Sequence, residues 1–109
     1  MAYDEELAAR IREQVTGEPV AEKKMFGGLA FLLGGNMAVA ASGQGGLMVR
    51  CDPADTERLV AEPGASRMEM RGRSMDGWLR VTAEAVEDEA TLAGWVERGL
   101  AFARSLPPK

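Results

Sequence analysis

The sequence contains no histidine, one cysteine and few aromatic residues. Because there is no histidine, serine–histidine catalysis is excluded within the chain. The single cysteine, Cys51, excludes an intrachain disulfide and a cysteine-based zinc site, and it favours a reducing compartment. No Gly-Lys-Ser/Thr motif of a phosphate-binding loop is present. We therefore expect no catalytic constellation, no cofactor and no metal, that is, a protein that is not an enzyme.

Long apolar runs are also missing. The apolar stretches are far shorter than the ~20 residues that cross a bilayer as a helix. Residues 1–6 are acidic and polar, whereas a secretory signal needs a basic start and an apolar run. We expect a cytoplasmic protein with no membrane partner.

The composition is that of an ordinary globular domain. The apolar fraction of 46% and the charged fraction of 28% both argue against intrinsic disorder. A chain of 109 residues suits one domain, which we expect to span residues 1–109. The tail at residues 107–109 is expected to be disordered.

The net charge of −4 argues against indiscriminate binding of nucleic acid. The charge is unevenly distributed, since segments 21–51 and 67–82 are each net positive and the other three segments are net negative. The basic segments hold the predicted strands and the acidic segments hold the predicted helices. The sequence therefore predicts a separation of charge between a sheet and a helical layer.

Hydrophobic periodicity predicts a helix from Asp4 to Val15, a short helix that opens at Asp52-Pro53, and a long helix from Asp88 to Leu106. Strands are predicted at Val20–Phe26, Leu29–Leu33, Asn36–Ala41, Leu47–Cys51, Arg67–Arg71 and Trp78–Thr82, with a loop at 72–77. Short turns join consecutive strands, which is typical of antiparallel sheets. We predict an α+β two-layer sandwich, an antiparallel sheet of about five to six strands with the N- and C-terminal helices on one face.

Basic residues on the predicted strands, together with one tryptophan, are the candidate partner-binding residues: Lys23, Lys24, Arg67, Arg71, Arg73, Trp78 and Arg80. Three interpretations stay open for the basic residues. They protect strand edges and solubility, they bind an acidic protein, or they bind nucleic acid. Nucleic acid is not favoured, because Trp78 is the only aromatic residue among them and single-strand platforms carry more stacking rings. Trp78 and Trp95 are most simply core anchors, although Trp78 also suits an interface.

Several other residues have a structural and a functional interpretation. Cys51 lies beside Asp52, whose charge raises the pKa of a thiol, so a packing role is favoured over a redox one. The methionines, among them Met37, Met48, Met68 and Met70, either fill the core or form an adaptable binding surface. The glycines of residues 43–46 precede a strand rather than a helix, which indicates a flexible turn.

Two features predict close packing or self-association. Gly94 and Gly99 lie in the last helix, where a glycine on a buried face admits close approach of another element. The second face of the predicted hairpin carries Ala30, Leu32, Ala38 and Ala40, which is apolar enough to require cover. A homodimer is expected from this face.

Motifs along nearly the whole chain, from about Tyr3 to Leu106, are similar to those of a known family. They are Lys24–Phe31, Gly35–Met37, Leu47–Arg50, Gly72–Met75, Trp78–Val81 and Leu92–Val96. In combination they resemble the TfoX N-terminal domain family, and we expect a stand-alone, single-domain member. The resemblance implies an antiparallel sheet flanked by helices, and it supplies no catalytic residues.

The family takes its name from bacterial regulators of competence genes, which promote transcription together with a cyclic-AMP-responsive activator. The resemblance therefore implies a non-enzymatic regulatory module that acts through contacts with a protein partner. Two alternatives stay open: a nucleic-acid-binding protein that uses the basic strand residues, and a small-molecule-binding protein with a pocket between sheet and helices.

Overall fold

All the strands join one sheet, and the helices flank it in the chain order that periodicity predicts. The computed structural model describes residues 3–25, 27–70 and 72–108. Its helices are α1 (Glu5–Gln14), α2 (Thr56–Leu59) and α3 (Glu89–Ser105), and 3₁₀ turns lie at Pro53–Asp55 and Ala85–Glu87. Its strands are β1 (Val20–Met25), β2 (Gly28–Leu33), β3 (Asn36–Ala41), β4 (Leu47–Arg50), β5 (Ala65–Met70) and β6 (Arg73–Val81). Phe26, predicted to end the first strand, lies outside the described residues.

Aspartate side chains begin the helical segments. Asp4 accepts hydrogen bonds from the backbone N–H groups of Glu6 and Leu7, at 2.9 and 3.1 Å. Asp88 accepts from the backbone N–H and the hydroxyl of Thr91, and these two bonds lower the pKa of Asp88. Each cap satisfies N–H groups that have no partner within the first helical turn.

The sheet is antiparallel throughout, with strand order β1-β2-β3-β4-β6-β5, so the predicted α+β class is confirmed. Strands β1 and β5 form its edges. Asn36 at the start of β3 is buried, and its side-chain amide donates to the carbonyl oxygen of Pro107 at 3.0 Å. This bond ties the sheet to the chain beyond α3. Lys109, the last residue of the tail expected to be disordered, lies outside the described residues.

The prediction of a loop at residues 72–77 is wrong from Arg73 onward, because residues 73–77 form the first part of β6. The pairing of β5 with β6 shifts register between Arg67 and Met68. As a result, Asp76 and Gly77 of β6 have no paired residue in β5. Gly77 has a φ of +87°, which glycine adopts readily. The Cys51 N–H donates to the Gly77 carbonyl oxygen and the Gly77 N–H donates to the Thr56 hydroxyl, so contacts with the end of β4 and with α2 keep an irregular segment within the strand.

The main core lies between the helices and one face of the sheet, which we call the helix-covered face. Leu7 and Ile11 of α1 and Trp95 of α3 pack there against strand residues such as Phe31 and Val49. Leu47, Val49 and Cys51 all point into this core while Met48 does not, as the alternation along β4 predicts. The predicted packing of the terminal helices on one face is thus confirmed.

A bulge in β3 places α3 close to the sheet. Phe31 pairs with Val39 and Leu32 pairs with Met37, so Ala38 has no partner and turns into the main core. The prediction that Ala38 lies on the second face is therefore wrong. A Cβ atom at Gly99 would lie 2.4 Å from the carbonyl oxygen of Ala38, so the predicted close approach is confirmed there. Gly94 is exposed and has no such neighbour within 4 Å.

Substitution of alanine for each of the two glycines of α3 should change the stability of the protein in opposite directions. Gly94→Ala should stabilise the protein by about 0.5–1 kcal/mol, because alanine has the higher helix propensity. Gly99→Ala should destabilise it by about 1–3 kcal/mol, because the methyl group overpacks against the Ala38 carbonyl. Urea unfolding followed by circular dichroism measures both changes. Stabilisation by both variants would contradict the close contact between α3 and the bulge.

The buried hydroxyl of Thr56 predicts a second stability effect. Its oxygen accepts a hydrogen bond from the Gly77 N–H at 2.7 Å. Thr56→Val keeps the shape and removes this acceptor, so it should cost about 1–3 kcal/mol. Thr56→Ser, the control, keeps the acceptor and loses one methyl group. Amide hydrogen exchange at Gly77 should accelerate in the valine variant alone, and equal exchange in both variants would show that the bond contributes nothing.

Candidate binding surface on the open face of the sheet

The second face of the sheet carries its own apolar cluster. Its buried members are Ala30, Met37, Ala40 and Met48, and the half-buried side chains of Met25, Leu32, Met68 and Trp78 pack around them. We call this surface the open face, because no helix in the described part of the chain contributes to the cluster. Three of the methionines singled out in the sequence thus lie outside the main core, on a surface made of flexible, polarisable side chains.

One cross-strand row runs over the open face from edge to edge. Strand register places Lys23, Ala30, Ala40, Met48, Arg80 and Ser66 opposite one another in turn. The row is apolar in its middle and has a cation towards each end. Four strand spacings separate Lys23 from Arg80. At ~4.8 Å per spacing, the two residues lie about 19 Å apart across the sheet.

The charge on the open face is of one sign over most of the sheet. In the described strands β1 to β4, the charged positions facing this side are Lys23 and Arg50, and none is a carboxylate. Glu22, the one acidic residue of β1, faces the helices and forms an ion pair with Arg12, 2.6 Å between Oε2 and Nε. The hydrogen bonds from Arg12 lower the pKa of Glu22. Over the described part of β1 to β4, the open face therefore carries two cations and no carboxylate, whereas Lys24 lies on the helix-covered side.

Arg50 is a functional candidate that the sequence analysis missed. Its guanidinium carbon lies 5.1 Å from the centroid of the Trp78 ring and 5.4 Å from that of the Phe102 ring in α3. No described carboxylate lies within ion-pair distance of it. Cation–π contacts with the two rings restrain the guanidinium, and its N–H donors keep the capacity to bind an anion. The alternation of Met48 with Arg50 was visible in the sequence, but the approach of Phe102 was not.

Arg80 is held in place without being neutralised. Its guanidinium donates to the side-chain oxygen of Gln44 and to the backbone carbonyl oxygen of Gly45. Both acceptors are uncharged, so Arg80 retains its positive charge at its end of the row. The glycine-rich turn at residues 43–46, which the sequence indicates as a flexible turn, thus provides the two acceptors that hold Arg80.

The predicted partner-binding residues do not converge on one surface. Lys23, Trp78 and Arg80 share the open face. Lys24 occupies the opposite side of β1, across from Leu29, and Arg67 is ion-paired with Asp76 at 3.0 Å. Arg73 is exposed at the turn end of the β5–β6 hairpin, and Arg71 lies outside the described residues.

Cys51, the one thiol, is buried at the end of β4. It is 3% exposed, and its sulfur lies 4.0 Å from the Thr56 hydroxyl. Burial raises the pKa of the Cys51 thiol, and the nearby charges of Asp55 and Asp52 act in the same direction. This environment suppresses the thiolate that nucleophilic chemistry requires.

Grooves on the described surface lie both beside the sheet and between it and its helices, as where Leu33 and Gly34 of the β2–β3 hairpin approach Ala103 and Arg104 of α3. One is lined by Gln44, Ser66, Arg67 and Arg80, and another lies between α2 and α3 near Phe102. Over residues 3–25, 27–70 and 72–108, no three metal-ligating side chains gather in one place. Within the same residues, no helix has the length and apolar character needed to cross a membrane.

Comparison with known proteins identifies the family of this domain. No curated protein matches the chain. The TfoX N-terminal domain matches residues 5–103, from the start of α1 to the last turns of α3. The match includes all six described strands, α1, α2 and α3 as far as Ala103, as the motifs in the sequence predict. The chain belongs to the TfoX N-terminal domain family.

Proposed function

We propose that this chain is a non-enzymatic protein-interaction module that acts in gene regulation, and that the open face is its contact surface. The observation that carries the proposal is an apolar cluster on a sheet face to which no helix of the described residues contributes. Its accessible part consists of the half-buried Met25, Leu32, Met68 and Trp78, and cations border it. Contiguous apolar surface of this kind typically marks an interaction site. Half-buried Trp78 and Arg50 are of the residue types that dominate binding energy at protein interfaces.

The family membership supports a regulatory setting for these contacts. The competence regulators that give the family its name promote transcription together with a cyclic-AMP-responsive activator. By analogy, the partner in our proposal is a protein of the transcription machinery. The proposal places this contact in the cytoplasm, where an unpaired cysteine such as Cys51 is the ordinary state.

The composition of the open face favours a protein over nucleic acid as its ligand. Its centre consists of alanine and methionine side chains, which offer no stacking platform for bases. Trp78 is its one aromatic ring among the described residues, and the whole chain is net negative. A methionine-rich surface adapts instead to the apolar side chains of a partner protein.

Affinity capture from the lysate of the native host, with and without nuclease, tests the function. We expect a transcription protein to be retained after nuclease treatment. The double variant Lys23→Glu/Arg80→Glu should lose that protein, because it reverses the charge at both ends of the cross-strand row. The binding should then be reproduced with the purified partner.

The matched control is Lys24→Glu/Arg58→Glu. It makes the same change in net charge at exposed positions on the helix-covered side, and it should retain the partner. Loss of the partner in both variants, or its release by nuclease, would contradict a specific protein contact at the open face.

The non-enzymatic part of the proposal predicts a slow thiol. Alkylation of Cys51 by iodoacetamide at pH 8 should be slower in the folded protein than in urea by on the order of a hundredfold or more, since burial limits access and disfavours the thiolate. Mass spectrometry over time measures the rate. A folded-state rate equal to that of a free cysteine peptide would indicate an accessible, activated thiol and would argue for chemistry at this residue.

A further inference from the structure

We propose that the ligand of the open face is an amphipathic helix of a partner protein with carboxylates beside its apolar stripe. This inference rests on the proposed function, in that it takes the open face as the contact surface. It adds the conformation and the charge of the segment that binds there. Three independent observations support it: the backbone pairing of the sheet, the shape of the apolar cluster, and the placement of the cations.

The backbone pairing of the sheet favours a helical ligand. The centre of the open face lies on β2, β3 and β4, which are interior strands, so their N–H and C=O groups are engaged by neighbouring strands. The face offers only side chains. An extended segment laid on it would leave its own backbone groups unpaired against apolar side chains, which is costly. A helix satisfies its backbone internally, whereas an extended segment would bind at the edge strands β1 or β5.

The shape of the cluster suits an apolar stripe. The small side chains of Ala30 and Ala40 lie side by side at the middle of the row, and the larger Met25, Leu32 and Met48 surround them. Ala30 and Ala40 are themselves buried, at 0% and 5% exposed, so a helix would contact the half-buried Met25, Leu32, Met68 and Trp78. Methionine side chains adjust to those of a ligand. Docking would cover the second face of the sheet as α1 and α3 cover the first, which completes a three-layer arrangement.

The cations define where the carboxylates of the ligand lie. Lys23 and Arg80 are about 19 Å apart by strand spacing. A helix of roughly 13 residues spans that distance at 1.5 Å per residue. Arg50 adds a guanidinium that is restrained by cation–π contacts with two rings and has no carboxylate partner in the described residues. A carboxylate on the ligand would supply that partner through a bidentate, charge-assisted pair.

A second copy of this chain fits the open face less well. Two open faces in contact would bring Lys23, Arg50 and Arg80 together with their counterparts, and like charges oppose that association. Contact of the open face with the acidic helical layer of another copy is heterologous, so it generates a ring or an open chain of molecules rather than a two-fold dimer. The homodimer expected from the sequence stays a prediction, and it is an outcome that the test must distinguish.

Three synthetic peptides of about 16 residues test the proposal. The first carries a leucine–alanine stripe flanked by glutamates, the second replaces each glutamate with lysine, and the third has the composition of the first with the stripe scrambled. Fluorescence of Trp78 reports binding, because Trp78 is half-buried on the open face and Trp95 is 1% exposed in the main core. The first peptide should bind with a Kd on the order of 10–100 µM, and each of the others at least about tenfold more weakly.

Variants of the protein locate the site. Arg50→Ala should weaken binding of the acidic peptide about tenfold or more. Arg50→Lys keeps the charge without the planar fork, so its affinity should lie between those of the unaltered protein and of Arg50→Ala. Lys23→Glu changes an exposed side chain, so it tests the charge requirement without disturbing the cation–π contact with Trp78. Lys24→Glu/Arg58→Glu should leave the affinity unchanged. Equal binding of the glutamate and lysine peptides, or an unchanged affinity of both Arg50→Ala and Lys23→Glu, overturns the proposal.

Two further measurements distinguish the other ligands. Tighter binding of a single-stranded oligonucleotide than of the acidic peptide at the same salt concentration would overturn the proposal. So would light scattering that shows a dimer whose stability changes in Lys23→Glu/Arg80→Glu. If the captured transcription protein depends on the open face but the acidic peptide does not bind, the proposed function stands and this inference is wrong. If the peptide binds and capture fails, the open face recognises acidic helices and the regulatory function is wrong.

Discussion

The close contact between α3 and the bulge in β3 is the constraint on which the rest of the structure depends. Gly99 brings the helix backbone onto the carbonyl of Ala38, at a distance that no residue with a Cβ atom tolerates without movement. The bulge turns both Ala38 and Val39 into the main core, and it leaves Met37 and Ala40 on the open face. One extra residue in β3 thus sets how closely α3 approaches the sheet and which side chains lie on each face of the sheet.

Contacts between α3 and the sheet also bear on the charges of the open face. Phe102 of α3 and Trp78 of β6 each lie within cation–π distance of the Arg50 guanidinium at the end of β4. Carboxylates of the helices and of β1 neutralise other arginines on the helix-covered side, as in the pair of Glu22 with Arg12. The separation of charge visible along the sequence becomes a separation between two sides of one sheet.

Sequence patterns predicted the features that depend on residues close together in the chain. Alternation of apolar residues along β4 identified which side chains face the core, and Asp4 identified the start of α1 through a cap that depends on a few neighbouring residues. The pattern failed at residues 73–77, where glycine, serine and aspartate are typical of a loop. There Thr56 and Cys51 hold the backbone of Gly77 from another part of the chain. Contacts of that kind leave no periodic signal.

By itself, the sequence determined the class of the fold, the order of its elements, the family, and the absence of histidine chemistry, because these follow from composition, periodicity and motifs. Only the tertiary structure decided which candidate residues lie together. Lys23 and Lys24 are adjacent in sequence yet occupy opposite faces, since successive strand residues alternate. Lys23 and Arg80 are distant in sequence yet share one row, because strand register joins them across the sheet. The bulge that moved Ala38 and the cation–π contacts of Arg50 likewise arise from packing between distant segments.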